Sequence, residues 1–413
     1  MNIARLSSLC LAILISAGIS AQNRRPAPNP NGPFKVTIGE CTHGRVEVSP
    51  AIGPEGATFA KGTVLKVRAT PDPGYAFECG YKAMGGRFSF FTEYFSQEFE
   101  VEVDGDCSVG ASFVDPKLLA GHTCKRDIVY AQPGVKPLKY DAYIPDGASK
   151  KLPGIVIIHG GGWTMNCEDV MSGLARELVK DGKYVVFSID YRWNGTADGD
   201  KVPNTMNQLI EDCFGAILHI QEHAAEYGLD PKRLAVTGDS AGGHLCASVA
   251  TMIERVGDGG FGKTPGVYEY LPTYMPKGMS AKKARKSLLA IKAVAPNYGI
   301  FSASGIERFV NNLPEDGKKA VAPIDNIPSP KLRKIPHWIN RGTNDTLITD
   351  EVTMEYYNAL KAAGQEVYYV KVPGAAHAYY DWKPDTATKE TFMKYGVPFA
   401  RQMEDFFNTV FYR

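Results

Sequence analysis

The stretch Gly238-Asp239-Ser240-Ala241-Gly242-Gly243 is the strongest indication of the fold of this chain. The residues before it, Arg233-Leu-Ala-Val-Thr, are typical of a short buried strand, and the residues from His244 onward are typical of a helix. A serine on a tight strand-to-helix turn has an exposed hydroxyl, and glycines let the strand and the helix approach closely enough to make that turn. The stretch therefore predicts that Ser240 is a nucleophile.

A serine hydroxyl is a poor nucleophile at neutral pH unless a base takes its proton and a third group orients that base. Asp345, in Arg341-Gly-Thr-Asn-Asp, follows one predicted strand, and His377, in Val372-Pro-Gly-Ala-Ala-His, follows the last one. In a parallel sheet the loops after the strands share one edge, so these side chains are expected to meet Ser240 there. Asp350 competes with Asp345 for the acidic role, but it fits a helix start better.

An oxyanion formed by attack on a carbonyl group also needs hydrogen-bond donors that are already in place. His159-Gly160-Gly161-Gly162-Trp163 follows the apolar run Gly154–Ile158 and matches a loop that supplies backbone N–H groups for this purpose. Gly161 and Gly162 are the predicted donors, together with the amide of Ala241 directly after the nucleophile. His159 is interpreted as a support of the loop and not as a base.

Buried strands alternate with helical patterns through the second part of the chain. Continuous apolar runs such as Gly154–Ile158 and Tyr184–Ile189 indicate strands covered on both faces. Helical patterns cover residues 170–181 and 205–227, and Leu138–Pro145 with the preceding 127–130 forms an antiparallel hairpin. The predicted fold class is α/β, with a mainly parallel sheet covered by helices and a small, mostly β unit in front of it.

Taken together, these motifs resemble the hormone-sensitive-lipase-like esterases of the α/β-hydrolase fold, and among them the secreted bacterial acetyl-xylan and feruloyl esterases. The matching residues are HGGGW at 159–163, DYR at 190–192, GDSAGG at 238–243, Asp345 and His377. The resemblance implies hydrolysis of carboxylic esters through an acyl-enzyme, with neither a metal nor an organic cofactor. Residues 257–289 and 301–330 depart from the family pattern as insertions and are expected to decide which ester is accepted.

Several side chains near these motifs have two possible roles. Trp163, Tyr379 and Trp382 flank the predicted site and could stack on sugar or phenolic rings, although covering the core is at least as good an interpretation. Asp190 and Arg192 are interpreted as a structural ion pair or loop contact.

The first 115 residues divide into three segments. Residues 1–21 combine Arg5, an apolar run and small residues ending at Ala21, which predicts a secretory signal peptide. A Pro- and Asn-rich linker covers 22–33, and short strands separated by Gly and Pro turns cover 34–115. This unit resembles the internalin B-repeat-like modules of bacterial surface proteins. Residues 116–413 are the predicted hydrolase domain.

For the small unit, glycan binding competes with a spacer or folding role, and we favour the spacer. Its aromatic side chains Phe88, Phe90 and Phe91 could contact a glycan or could equally be packed.

Net charge and apolar content limit the classes of partner. The net charge of +1 gives no reason to expect nucleic acid or an acidic membrane as a partner, and no run after residue 21 is long enough to span a bilayer. The protein is expected to be secreted, periplasmic or at the bacterial cell surface.

Seven cysteines remain after residue 21, and Cys41, Cys79, Cys107 and Cys124 are the better candidates for disulfide bridges.

The expected function is therefore hydrolysis of acetyl or feruloyl esters on plant polysaccharide such as xylan. The alternatives are a general short-chain carboxylesterase, a peptidase or arylformamidase, and a glycan-binding protein on an inactive hydrolase scaffold.

Overall fold

The computed structural model describes residues 32–85, 90–260, 269–311 and 313–412. The predicted signal peptide, nearly all of the linker and Phe88 lie outside these ranges. Among the helices of the described ranges, none combines the length and the apolar character needed to cross a membrane.

The N-terminal unit is a sandwich of two small sheets. A five-stranded sheet has the order β3-β1-β8-β5-β6, and a three-stranded antiparallel sheet has the order β2-β4-β7. Alternate apolar side chains of the two sheets, such as Val36, Leu65, Val101 and Val109, meet in a shared core. The strands are β1 (Phe34–Ile38), β2 (Gly44–Ser49), β3 (Ala57–Phe59), β4 (Val64–Pro71), β5 (Ala76–Met84), β6 (Phe90–Tyr94), β7 (Glu98–Glu102) and β8 (Cys107–Val114).

The second unit is built on an eight-stranded sheet of order β16-β15-β14-β13-β11-β12-β10-β9. The six strands from β16 to β12 in that order are parallel, whereas β10 is antiparallel to both β12 and β9, as predicted for the hairpin. The strands are β9 (His122–Ala131), β10 (Leu138–Pro145), β11 (Leu152–Ile158), β12 (Val185–Ile189), β13 (Leu229–Asp239), β14 (Ile291–Asn297), β15 (His337–Gly342) and β16 (Val367–Val372).

Helices cover both faces of this sheet. Along β11, Val156 and Ile158 belong to one core cluster, and Ile155 and Ile157 to the cluster on the opposite face. This placement explains why the central strands have no polar face. The helices are α1 (Ser172–Val179), α2 (Met206–Glu222), α3 (Ala241–Thr251), α4 (Ala281–Leu288), α5 (Glu307–Val310), α6 (Glu315–Ala320), α7 (Asp350–Ala362), α8 (Thr386–Thr391) and α9 (Val397–Phe411).

A buried carboxylate fastens the N-terminal unit to the hydrolase unit. Glu78, on β5, lies 2.8 Å from Arg176 of α1 and 3.0 Å from Lys389 of α8, and it accepts a 2.6 Å hydrogen bond from the Trp382 indole. Burial alone would raise the pKa of Glu78, but Arg176 and Lys389 outweigh it and lower the pKa to about 2. The N-terminal unit is therefore packed against the hydrolase unit and is not a spacer held apart from it.

The expected disulfide bridges are absent, because all seven cysteines of the described ranges are free thiols. Cys79 and Cys107 lie on the neighbouring strands β5 and β8, but Cys107 is in register with Met84. The offset along the strand is roughly 16 Å at the usual rise per residue, beyond the reach of a disulfide.

Candidate active site

Ser240 occupies a strained turn between β13 and α3. Its backbone has φ 51° and ψ −115°, a conformation that L-residues rarely adopt. A side chain at Gly242 would place a Cβ atom 1.9 Å from the carbonyl oxygen of Ile158, so this position tolerates only glycine. The close approach of α3 to β11 holds the Ser240 side chain at the carboxyl edge of the sheet, where it is partly exposed.

The structure brings Ser240, His377 and Asp345 into one hydrogen-bonded chain. His377 Nε2 lies 2.9 Å from Ser240 Oγ, and His377 Nδ1 lies 2.8 Å from Asp345 Oδ2. An ionised carboxylate can only accept a hydrogen bond, so the imidazole Nδ1–H donates to Asp345. Nε2 of the neutral imidazole is then left with a lone pair that accepts the Ser240 hydroxyl proton.

The loop after β15 holds the Asp345 carboxylate in place. Its Oδ1 accepts hydrogen bonds of 2.9 Å from the backbone N–H groups of Leu347 and Ile348, which leaves Oδ2 for His377. Arg341 closes the loop by donating to the carbonyl oxygens of Asp345 and Ile348. Asp350 begins α7 and accepts from Lys371, as expected for a helix start and not for the carboxylate that orients His377.

Gly161, Gly162 and Ala241 present backbone N–H groups beside this chain. Gly161 and Gly162 have positive φ angles of 124° and 59° in the loop after β11, and Ala241 is the first residue of α3. Within the described ranges, none of these three N–H groups donates a hydrogen bond to another protein group. The amides of a helix start and of a left-handed glycine loop are suited to bind a developing negative charge.

Asp239, which the sequence analysis did not single out, holds the glycine loop against the nucleophile turn. Its Oδ1 accepts a 2.6 Å hydrogen bond from the backbone N–H of Gly160. Burial and the nearby Asp381 raise the pKa of Asp239 to about 7, although His377, the Gly160 amide and Tyr298 counteract this rise. In the sequence, only its position directly before Ser240 indicated that Asp239 belongs to the site.

His159 supports the start of the glycine loop and is fully buried. Its ring stacks on Tyr191 at 4.3 Å, and its two nitrogens lie 2.7 Å from the Gly160 carbonyl oxygen and 3.2 Å from Asp190. Both nitrogens are therefore occupied, in agreement with a supporting role.

The three aromatic residues predicted to contact substrate are core residues in the structure. Trp163, Tyr379 and Trp382 expose at most 4% of their surface. Their polar atoms bond to His244, Asn340 and Glu78, respectively, so each already has a protein partner. Substrate contact is therefore not proposed for them.

Asp190 and Arg192 form structural contacts, as predicted, but with other residues and not with each other. Arg192 forms a 2.7 Å ion pair with Asp212 on α2, whereas Asp190 lies 2.7 Å from Lys136. Each is a loop contact with a partner distant in sequence.

The two insertions reach different parts of the molecule. Thr273 of the first insertion bonds to Asp212 on α2, so this part of the insertion lies against that helix. In the second insertion, the ring of Phe309 packs 4.6 Å from that of Trp163, directly behind the glycine loop. The second insertion is therefore the one that approaches the candidate site.

Replacing Gly161 by alanine should disable the glycine loop. The added Cβ would lie 2.2 Å from the carbonyl oxygen of Met165, and φ is +124° there, so the backbone has to move. We expect kcat for p-nitrophenyl acetate to fall by about 10²–10³-fold, the usual effect of losing an oxyanion donor. Gly162→Ala is the matched control, because its Cβ would meet no atom within 4 Å, and the left-handed backbone costs only about 1–2 kcal/mol. Equal losses in the two variants would contradict this account of the loop.

Comparison with known proteins agrees with this architecture. The sequence profile of the alpha/beta hydrolase fold family matches residues 155–381. The chain therefore belongs to the α/β-hydrolase family, and the predicted fold class is confirmed.

Within the described ranges, no group of three or more His, Cys, Asp and Glu side chains is placed to hold a metal ion.

Curated relatives match parts of the chain. It is 36% identical to carboxylesterase NlhH of Mycobacterium tuberculosis (strain CDC 1551 / Oshkosh) over 124 residues, which is 30% of this chain and 37% of NlhH. It is 27% identical to esterase LipQ of Mycobacterium tuberculosis (strain ATCC 25618 / H37Rv) over 274 residues, which is 61% of this chain and 56% of LipQ. The matches thus span between about a third and just over half of these relatives.

Among solved structures, a truncated form of a carbohydrate esterase from gut microbiota superimposes with a TM-score of 0.53 at 21% identity, covering 70% of this chain and 97% of that chain. Propionate-bound Est2, an esterase of the planctomycete Thermogutta terrifontis, gives a TM-score of 0.50 at 23% identity over 70% of this chain and 94% of that one. At these identities the likeness shows the shared fold.

Proposed function

We propose that the protein is a serine esterase that hydrolyses carboxylic esters through an acyl-enzyme. The observation that carries this proposal is the unbroken chain Ser240–His377–Asp345, with hydrogen-bond distances of 2.9 and 2.8 Å. Beside it lie the backbone N–H groups of Gly161, Gly162 and Ala241, which donate to no other protein group within the described ranges. The carboxylesterase and esterase relatives support the same reaction class.

In the proposed reaction each group has one role. Ser240 Oγ attacks the ester carbonyl carbon while its proton passes to His377 Nε2, and Asp345 stabilises the imidazolium that forms. The amides of Gly161, Gly162 and Ala241 bind the oxyanion of the tetrahedral intermediate. As the intermediate collapses, His377 returns the proton to the leaving alcohol. Water then attacks the acyl-enzyme by the same route and releases the carboxylic acid and the free Ser240 hydroxyl.

For the substrate, we favour acetyl or feruloyl esters on a plant polysaccharide such as xylan. The motifs resemble those of the secreted carbohydrate esterases, and the pattern of residues 1–21 suits a protein that is exported to meet a polymeric substrate.

A general short-chain carboxylesterase is the second candidate, favoured by the names of the curated relatives. An inactive binding scaffold is a weaker alternative, because the nucleophile, the base, the orienting carboxylate and the N–H donors are all in place.

A substrate panel on the purified protein tests this choice. If acetyl groups are the substrate, we expect a higher kcat/KM on acetylated xylo-oligosaccharides than on p-nitrophenyl butyrate, because contacts with the sugar units add binding energy beyond the acyl group. If feruloyl groups are the substrate, methyl ferulate should be preferred over p-nitrophenyl butyrate, because the site then binds the phenolic acyl group. A preference for p-nitrophenyl butyrate over both the xylo-oligosaccharides and methyl ferulate would instead establish the general carboxylesterase.

A further inference from the structure

Tyr298 is a fully buried tyrosine that packs directly against the proposed base His377. The centroids of the two rings are 5.0 Å apart, with an angle of 67° between their planes. Tyr379 and Tyr380 also pack against Tyr298, with centroid distances of 4.7 and 6.1 Å. Both belong to the loop after β16 that carries His377, residues 373–382, which we call the histidine loop. Tyr298 thus contacts the base and its loop, although acyl transfer itself gives it no step.

The backbone of Tyr298 is held in an unusual conformation. Its φ is 35°, and a positive φ is rare for a bulky side chain. The preceding carbonyl oxygen, that of Asn297, accepts a 3.0 Å hydrogen bond from the Ser240 N–H, and the Tyr298 N–H donates to the Asn340 carbonyl oxygen at 2.7 Å. Strain of this kind persists only where the surroundings fix the residue, and it is concentrated at functional sites. The loop after β14 therefore holds Tyr298 in place between the nucleophile turn and β15.

The Tyr298 hydroxyl joins two loops of the candidate site. Its oxygen accepts a 3.2 Å hydrogen bond from the backbone N–H of Tyr380, three residues after His377. Its proton then remains for the Asp239 carboxyl group, to which the hydroxyl also hydrogen-bonds and which it stabilises in the charged form. Asp239 in turn accepts from the Gly160 N–H at 2.6 Å. A series of hydrogen bonds therefore runs from the histidine loop through Tyr298 and Asp239 to the glycine loop.

The two loops joined in this way carry different parts of the chemistry. The glycine loop, after β11, carries the N–H donors of Gly161 and Gly162, whereas the histidine loop, after β16, carries the base. Strands β11 and β16 do not pair, because β13, β14 and β15 lie between them in the sheet. The relative position of the two loops therefore depends on side chains that bridge the carboxyl edge of the sheet. Tyr298 follows β14, the middle strand of the three.

The two tyrosines of the histidine loop have a different partner. The Tyr379 hydroxyl donates to Asn340 Oδ1 at 2.6 Å, and Asn340 Nδ2 donates to the Tyr380 hydroxyl at 2.8 Å. Asn340 lies on β15, so these bonds attach the histidine loop to the neighbouring strand. Tyr298 differs from them because its hydroxyl reaches Asp239, and through it the glycine loop.

We propose that Tyr298 is a positioning residue of the esterase reaction, whose hydroxyl fixes the distance between the His377 base and the N–H donors of the glycine loop. The inference rests on the proposed function, because the base and the donors must act on the same tetrahedral intermediate. Tyr298 acts through these groups and contributes no atom to the bonds that form or break. Its loss should therefore affect the chemical step and not the affinity for the ester.

Tyr298→Phe removes the hydroxyl and keeps the ring against His377. We expect kcat for p-nitrophenyl acetate to fall by about 10-fold with KM within about twofold of the wild type, because a small misplacement slows acylation and deacylation alike. Tyr356→Phe is the matched control, since Tyr356 is also fully buried and its hydroxyl lies 3.1 Å from His337 Nε2. It should lower the melting temperature by a similar amount and leave kcat at the wild-type level.

A spectroscopic measurement tests the same inference without any ester. In protein with isotope-labelled histidine, the Nδ1–H proton that His377 donates to Asp345 gives an NMR resonance, identified by its absence from His377→Gln. We expect this resonance to shift and broaden in Tyr298→Phe, because a less restrained imidazole exchanges its proton with water faster, and to stay unchanged in Tyr356→Phe.

The two measurements separate failure of this inference from failure of the proposed function. A wild type that hydrolyses no ester would refute the esterase and leave the His377 resonance to decide the inference. A resonance or a kcat that Tyr298→Phe leaves as in an active wild type would overturn the inference. It would also be overturned by an equal fall of kcat in Tyr298→Phe and Tyr356→Phe, or by a loss that appears in KM alone.

Discussion

Ser240→Ala should abolish ester hydrolysis, with kcat/KM for p-nitrophenyl acetate falling by about 10⁴–10⁶-fold. The substitution removes the only atom of the hydrogen-bonded chain that can form the acyl bond, while His377, Asp345 and the N–H donors stay in place. We therefore expect the catalytic rate to fall while the stability of the fold is unchanged. Steady-state rates, with a thermal melt of each protein, measure the two separately.

Ser248→Ala is the matched control for this loss. Ser248 lies on the same helix α3, and its hydroxyl donates to the carbonyl oxygen of His244 one turn earlier. Such a bond within a helix adds little to stability, so activity should stay within about twofold of the wild type. The double variant Ser240→Ala/His377→Ala should be no slower than Ser240→Ala, because residues that act as one unit are not additive. A further large loss in the double variant would contradict a shared role.

Glu78→Gln should cause the largest loss of stability, about 3–5 kcal/mol at neutral pH, because it leaves the buried Arg176 and the partly buried Lys389 without their counter-charge. Glu98→Gln is the matched control in the same unit. Glu98 pairs with Arg68 at 3.6 Å on the exposed surface, and such a pair contributes at most about 1 kcal/mol. Urea unfolding of the three proteins measures the difference. Equal stability of the two variants would show that Glu78 does not fasten the seam.

The pH dependence of the Glu78 effect has a defined sign. The folded protein holds the pKa of Glu78 at about 2, below its ordinary value of 4.5. Its contribution to stability is therefore full above about pH 4.5 and is lost as the pH falls toward 2. The stability gap between the wild type and Glu78→Gln should narrow over that interval, because the protonated Glu78 then resembles the uncharged variant. A gap that stays constant over the interval would contradict the lowered pKa.

The sequence predicted the parts of the molecule that depend on local pattern. The continuous apolar run of β11 and the glycine-flanked Ser240 signal a buried strand and a sharp turn without knowledge of distant residues. The loops after β15 and β16 follow from the same logic, because parallel strands bring their carboxyl ends to one edge. Ser240, Asp345 and His377 were therefore found together from their positions alone.

Features that depend on distant contacts were not predicted. Strand β5 has no clear signal in the sequence, because Gly80 interrupts it and the charged Glu78 is of a type expected at the surface, although its side chain is only 5% exposed. The partner of Glu78, Trp382, lies 304 residues away, so neither residue signals the contact in sequence. For the same reason Trp382 was interpreted as a possible substrate contact, whereas the docked N-terminal unit buries it.

Ser240 is the residue that we expect to become acylated during turnover. The most direct measurement is peptide mass spectrometry of the protein after reaction with a serine-directed sulfonyl fluoride, performed on the wild type and on His377→Gln. We expect one modified residue, Ser240, in the wild type, with loss of activity in proportion to labelling, and markedly slower labelling without the His377 base. Modification of a different residue, or inactivation that leaves Ser240 unlabelled, would contradict the account.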